Sequence, residues 1–515
     1  MCIGFVAATA AAQTSMDGKT TPPVLESGKT SITIDTILTP KQEKILLADE
    51  SRILKFVSND TLLPIKSPVK CRFISRDAVA KELRKKFDED KGAKRMERSE
   101  LVLKKFGFLD PDFKMRPFLL SLLTEQIAGF YDNKTKQMNL LDWVPIDEQK
   151  PVMAHELTHA LQDQHVGLEK WGDQEVPGVS KNVTEDNRHI ATDDTDTSRE
   201  AVLEGQAMVS FADHMLADSG HSGKTLKDFP QLAQQLETNA GDMSDSPVLA
   251  RAPLILQQSL LFPYTAGLTF EQTVLVKNGT ERAFAGVLDS PPSTTFEILT
   301  PRAYLSHQTF TPMTLPDIHP MLKDAGYDPY DLGVMGELDV RMAAELFGGR
   351  PLAEALAPEW DGGIYYAAQR RGATPAEKNT TASLALLYSS RWKNEDSARS
   401  FFDVFQQQLP RQYNDLKRRQ ADEKDENERV YSTREGDVLL TLEGKTLWVS
   451  EGYDLALARK LHDAVDAANP ALGKGPVMQT SMPYQRHDLM GSLVHTLGQF
   501  GIMKAALQHG AVPPQ

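Results

Sequence analysis

His155, Glu156 and His159 stand in the spacing H-E-x-x-H within PVMAHELTHALQDQHVG, residues 151–167. On a helix, side chains four apart differ by about 40° in azimuth and roughly 6 Å along the axis. Two imidazoles so spaced reach one metal ion from one face. The glutamate between them can take a proton from a water that the metal acidifies, and can return it to a leaving amine. Met153, Leu157, Ala160 and Leu161 recur at helical spacing, so the helix is expected to have one apolar face, with Pro151 in its first turn. Two histidines and a glutamate beside such a face are costly to bury unless something satisfies them, as a metal would.

A catalytic zinc site takes three protein ligands and leaves a further position open. The stretch TSREAVLEGQAMVSFADHML, residues 197–216, reads as a second helix with Ser198 as its cap. Glu200 and Glu204 lie one turn apart on one face of it. One could ligate the ion while the other orients a ligand histidine. Gly205, directly after Glu204, permits close approach of another helix. His165, ten residues after His155, is a further candidate. If the first helix continues, His165 points about 240° away from His159, which suits a helix-end role better.

These two helices need a frame. An apolar helix over residues 119–127 runs into GFYDNKTKQMNLL, residues 129–141. That segment reads as two extended arms around the polar turn Asp132-Asn133-Lys134-Thr135. This hairpin, directly before the motif helix, resembles the edge strand of thermolysin-like peptidases, against which a peptide substrate lies as an added strand. Residues 169–198 are polar and acidic and read as a long surface loop. Asp193, Asp194 and Asp196 in it are expected to be a solvated charge run rather than a calcium site. FPYTAGLTF, residues 262–270, and residues 288–305 combine aromatics with turn residues and could line a cleft. Tyr264 is there a possible donor to an oxyanion. Beyond residue 375 the order is strand, helix, hairpin, helix, a small α+β module.

Taken together, GFYDNKTKQM, VMAHELTHALQDQH, AVLEGQA, FPYTAG, PPSTTFEIL and WDGGIYY resemble a set found in gluzincin-type zinc metallopeptidases. More narrowly, they resemble exported bacterial zincin-like proteins that carry HELTHALQDQH followed by an LVEG-type helix. The resemblance spans roughly residues 100–400. It implies a small sheet with an edge strand along the cleft, an active-site helix and a glutamate helix. It also implies His155 and His159 on one Zn2+ ion, Glu156 as general base and Glu204 as third ligand. Thermolysin-type gluzincins would instead put Glu200 on the metal. The third histidine of metzincins would be His165, but the glycine that stops their helix is replaced here by Gln162. A second departure is Thr300-Pro301, which stands where His-Pro is expected.

The expected fold class is therefore α+β. Residues 1–30 form a signal-like segment and flexible leader, and 31–115 an N-terminal α+β region. Residues 116–370 form a zincin-like metallopeptidase domain with a mostly helical middle, and 371–515 the C-terminal α+β module and tail. The chain has 515 residues, 40% of them hydrophobic, and a net charge of −14. Such an acidic balance argues against a nucleic-acid partner. The N-terminus MCIGFVAATAAAQTS has small residues ahead of Gln13 in the manner of a cleaved secretory signal, so the protein is expected to be exported to the periplasm, cell surface or medium. Removal of Cys2 would leave Cys71 alone, with no intramolecular disulfide. No run of about 18 apolar residues predicts a transmembrane helix. The leading expectation is a zinc-dependent endopeptidase acting on protein or peptide substrates. A zinc-stabilised, non-catalytic envelope binding protein on the same fold is the alternative, and hydrolysis of a non-peptide amide would use the same residues.

Overall fold

The computed structural model describes residues 38–469, apart from residue 90 and short stretches at 173–179, 181, 230, 241–242, 244–245 and 309–310. The expected signal-like segment and the tail after 470 lie outside the described residues. The architecture is α+β, with one small sheet, one large sheet and long helices beside them.

The small sheet contains β1 (Lys70–Ile74), β2 (Gly129–Asp132) and β3 (Gln137–Leu141) in the order β1-β3-β2. β1 runs parallel to β3, and β2 pairs with β3 as the expected hairpin, with Gly129 opposite Leu140 and Tyr131 opposite Met138. Asp132 closes the turn by accepting from the backbone N–H groups of Lys134 and Thr135, at 2.9 and 3.2 Å. This is why an aspartate suits that corner. β2 is thus an edge strand.

The motif helix spans Ile146–Val166 and ends at Gly167, whose φ of 71° suits glycine. It begins a turn and a half earlier than expected, so Pro151 lies inside it. Nor does it have a single apolar face. Every residue from Pro151 to Asp163 is buried, because the small sheet, the helix Pro40–Thr61 and the glutamate helix all pack on it. A helix enclosed on all sides can carry polar residues only where each finds a partner.

The glutamate helix spans Thr195–Asp218. The stretch FPYTAGLTF, for all its turn-forming residues, is helical: it forms the middle of a third long helix, Leu254–Asn278, packed against the glutamate helix. Its turn-forming residues serve close packing instead. PPSTTFEIL forms a capping box: Thr294 Oγ1 accepts from the Glu297 N–H, and the Glu297 carboxylate accepts from the Thr294 N–H.

The large sheet is antiparallel throughout, in the order β4-β5-β6-β10-β9-β8-β7. Its strands are β4 (Tyr327–Val334), β5 (Trp360–Arg370), β6 (Leu384–Trp392), β7 (Lys417–Arg418), β8 (Glu428–Thr433), β9 (Gly436–Glu443) and β10 (Thr446–Glu451). All nine residues of β6 are buried, as a central strand requires. The helices Glu395–Gln412 and Leu455–Ala468 pack on it, so the strand, helix, hairpin and helix expected after residue 375 are present in that order. β5 and β6 pair side by side, so residues on both sides of position 370 belong to one sheet. Among the described residues, no helix is long and apolar enough to cross a membrane.

The segment between the two motif helices differs most from expectation. It contains the helices Leu168–Gly172 and Val183–Thr192, and its acidic residues are not solvated. Asp193, Asp194 and Asp196 are buried. Asp193 Oδ2 accepts from the Val334 N–H of β4 at 2.5 Å. Asp194 Oδ2 accepts from the N–H and the hydroxyl of Thr295, at 2.6 and 3.0 Å. Backbone amides of two distant segments bond these buried carboxyls, although for Asp194 burial still outweighs the Thr295 bonds and holds its pKa well above the ordinary range.

Candidate metal centre

Three side chains from two helices converge. His155 Nε2 lies 3.0 Å from Glu204 Oε2 and 3.0 Å from His159 Nε2, and His159 Nε2 lies 3.5 Å from Glu204 Oε2. Bonds of about 2.0–2.1 Å to a tetrahedral ion put its ligand atoms roughly 3.3 Å apart. The observed separations bracket that value. Two imidazole nitrogens and one carboxylate oxygen are also a donor set that zinc accepts. Among the described residues, this is the group of histidines and acids close enough together to hold an ion. His155 is 0%, Glu204 1% and His159 9% exposed, so the group is enclosed in protein.

Glu200, one turn before Glu204, is also buried but is not part of the group. The reason Glu204 reaches so far in lies next to it. A Cβ on Gly205 would lie 2.3 Å from the carbonyl oxygen of Gly267, and a Cβ on Gly267 would lie 2.2 Å from that of Ala201. The two helices therefore meet backbone to backbone, as the glycine after Glu204 suggested. The helix carrying Gly267 also lays the Tyr264 ring parallel to that of His155, with centroids 6.2 Å apart. His165 lies at the end of the motif helix with Nε2 3.0 Å from Asp289 Oδ1, away from the group. Thr300 and Pro301 form the joint between the short helices Thr295–Leu299 and Pro301–Leu305.

Burial and neighbouring charge set the protonation of these groups. Burial lowers the His155 pKa to about 4, although its bond to Glu204 works the other way. Burial also opposes charge on His159, but Glu204 beside it prevails and raises it to about 9. Burial would raise Glu204, yet His159 and His155 hold it down at about 2. In the absence of an ion, then, positive charge on His159 balances Glu204. A divalent cation would take over that role and displace the proton.

Glu156 lies between the two histidines and is 1% exposed. Burial raises its pKa to about 7, against the pull of His159 and a hydrogen bond from the backbone of Tyr131. A carboxylate poised near neutrality suits proton transfer. Its Oε1 is buried with no hydrogen-bond partner among the described residues, which leaves it an acceptor for a water or substrate proton. β2 passes directly beside it: a Cβ on Gly129 would come within 3.6 Å of Glu156 Cγ and 2.8 Å of Val152 Cγ1. The strand is fastened in place by Asp163. One of its oxygens accepts from the Tyr131 hydroxyl at 2.8 Å and pairs with Lys136 at 2.6 Å, and the other accepts from the Leu168 N–H at 3.0 Å.

Two residues escaped sequence reasoning. Gln162 figured there only as the residue in place of a glycine, and Gln206 only as a letter after Glu204-Gly205. In the structure Gln162 Oε1 lies 2.8 Å from His159 Nδ1, and Gln162 Nε2 donates to Gln206 Oε1 at 2.9 Å. A positional signal existed for Gln162, which follows His159 by three residues on the same helix face; Gln206, two residues after Glu204, projects from another face and gave none. No protein-family model matches the chain, and neither a curated protein nor a solved structure does.

Proposed function

We propose that this chain is a zinc-dependent metallopeptidase of the gluzincin type, with a zincin-like domain around the two motif helices. The observation that carries the reading is the convergence of His155 Nε2, His159 Nε2 and Glu204 Oε2, with Glu156 between the histidines and an edge strand alongside. His155, His159 and Glu204 would hold the ion. When bound, zinc supplies an acidified water and a positive charge for a substrate carbonyl. Glu156 takes the proton of the attacking water and delivers it to the departing amine. β2, the edge strand of the small sheet, aligns the backbone of a protein or peptide substrate. Export belongs to the same proposal, and N-terminal sequencing of secreted material tests it; a chain retained with Met1 intact would remove it.

The test of the activity is a peptide-library digest read by mass spectrometry. Wild type, Glu156→Gln and chelator-treated wild type are compared, with bound metal quantified in each. Cleavage by the untreated wild type alone, with zinc retained in the variant, supports the reading. Wild type free of metal rejects the site. The near-complete burial of the group favours one second reading, a zinc-stabilised binding protein without hydrolysis. Stoichiometric zinc with no cleavage of any peptide would select it.

A further inference from the structure

Beyond its three possible ligands, the metal group connects to a chain of amide side chains anchored on backbone carbonyls, with the buried carboxyl of Glu271 as a further partner of Gln206. The chain starts at the π-helical turn Arg282–Gly286. Gln206 Nε2 lies 2.8 Å from the carbonyl oxygen of Ala283 and 3.1 Å from that of Phe284. Carbonyls only accept, so the NH2 end of Gln206 must face them and its Oε1 must face the other way. That Oε1 is 2.9 Å from Gln162 Nε2, which also donates to the carbonyl of Leu203 at 3.0 Å. With both NH2 protons of Gln162 directed at acceptors, its Oε1 is left as an acceptor, 2.8 Å from His159 Nδ1. The only proton available for that bond is on Nδ1. Gln162 and Gln206 are both fully buried, so water does not compete for these bonds.

We infer that Gln162 and Gln206 are positioning residues. They keep the proton of His159 on Nδ1 and so reserve the Nε2 lone pair for the ion, with the carbonyls of Ala283 and Phe284 as the fixed end of the relay. This rests on the metal-site reading above and extends it to residues that touch neither ion nor substrate. Amide pairs with two possible orientations would otherwise leave the tautomer undetermined. Here two backbone features settle it: the Leu203 carbonyl orients Gln162 directly, and the carbonyls of Ala283 and Phe284 orient Gln206 in the same sense. A π-helical turn, which is uncommon and clusters at functional sites, thereby acquires a role.

The test uses the full chain as wild type and as three volume-conserving variants, Gln162→Met, Gln206→Met and Gln149→Met. Gln149 is the control. It is equally buried on the same helix and donates to the carbonyls of Leu141 and Val144, with no bond to the relay. Zinc affinity is measured by competition with a chromophoric chelator. The His159 ring nitrogens and the Nδ1 proton are followed by NMR in zinc-loaded, histidine-labelled protein. Gln162→Met should bind zinc about 10–100-fold more weakly, as loss of a ligand histidine's partner typically does. Its Nδ1 proton should move upfield and exchange faster with solvent. Gln206→Met should show the same changes to a smaller degree, because Leu203 still holds Gln162; it also carries the test should Gln162→Met fail to fold. Gln149→Met should leave both readouts unchanged.

Wild-type zinc affinity and an unchanged Nδ1 signal in both relay variants would overturn the inference while leaving the metal site intact. Equal weakening in Gln149→Met would overturn it too, by showing general loosening of the helix. A wild-type chain that takes up no zinc would reject the metal-site reading itself and the relay with it. None of these readouts depends on cleavage, so a failure of the peptidase proposal alone is a separate result.

Discussion

Gly205 and Gly267 touch through their backbones, leaving no room for a Cβ on either: the nearest carbonyl oxygens would lie 2.3 and 2.2 Å away. Replacing glycine by alanine inside a helix ordinarily stabilises it by about 1 kcal/mol. Here overpacking against backbone that cannot swing aside should win, at a cost of about 1–3 kcal/mol. Gly205→Ala and Gly267→Ala should therefore both be destabilised in urea. Both should also bind zinc more weakly, since Glu204 moves with its helix. A stability gain in either variant would contradict the close contact.

Glu156→Gln keeps the size of the side chain and an oxygen for the Tyr131 amide. Zinc content should stay stoichiometric while turnover falls by about 10²–10⁴-fold, the usual contribution of a general base. Turnover near that of wild type would remove Glu156 from the chemistry.

Stability should depend on pH through a carboxyl pair remote from the metal group. Asp213 is pushed up to about 9, by burial first and by Asp60 second, and burial raises Asp60 to about 6. Both groups hold protons in the folded protein that the unfolded chain releases near pH 4. The folded state thus binds more protons than the unfolded one across this interval, and stability falls as pH rises from about 4 towards about 9. Asp213→Asn cannot ionise and still accepts from the Leu226 N–H that Asp213 Oδ1 now bonds at 2.5 Å. It should be more stable than wild type at pH 8.5, by something on the order of 1–3 kcal/mol, with the gap closing towards pH 4.5. Urea titrations at the two pH values measure this, and a pH-independent gap would refute the assignment.

Asp163 holds the edge strand to the end of the motif helix through Tyr131, Lys136 and Leu168. Asp163→Ala leaves the Leu168 N–H without its acceptor and should cost about 1–3 kcal/mol. Hydrogen exchange over residues 129–141 should quicken. If β2 aligns substrate, KM should rise more than kcat falls. Unaltered exchange in the hairpin would mean that the strand is held by its ladder with β3 alone.

The metal group could be read from the sequence because its cause is local. A four-residue helical repeat brings His155 and His159 together whatever surrounds them, and a glycine beside Glu204 announced a close helix contact. The hairpin was legible for the same reason, since Asp132 closes its turn with nearby amides. What stayed hidden depends on partners far along the chain. Asp193 and Asp194 look like a surface run until Val334 and Thr295 arrive to bond them. FPYTAG contains turn residues, yet Gly267 serves packing and Pro263 is tolerated within a long buried helix. The relay through Gln162 and Gln206 ends on two carbonyls of a π-helical turn, which no local pattern of amides could reveal.

That anchoring has a consequence for when the centre can be completed as the chain is made. The histidine pair emerges early, Glu204 some fifty residues later, and the carbonyls that orient His159 later still. The clamp from Asp193 to β4 must wait for Val334. A nascent chain therefore offers an ion only a bare pair of imidazoles on a helix not yet enclosed. In small zinc-dependent modules the ion drives folding. On the proposed reading the order is reversed here: the three ligands are made by residue 204, but the segments that orient and enclose them, out to Val334, must be synthesised and packed before the centre is complete, so metal acquisition is a late maturation event.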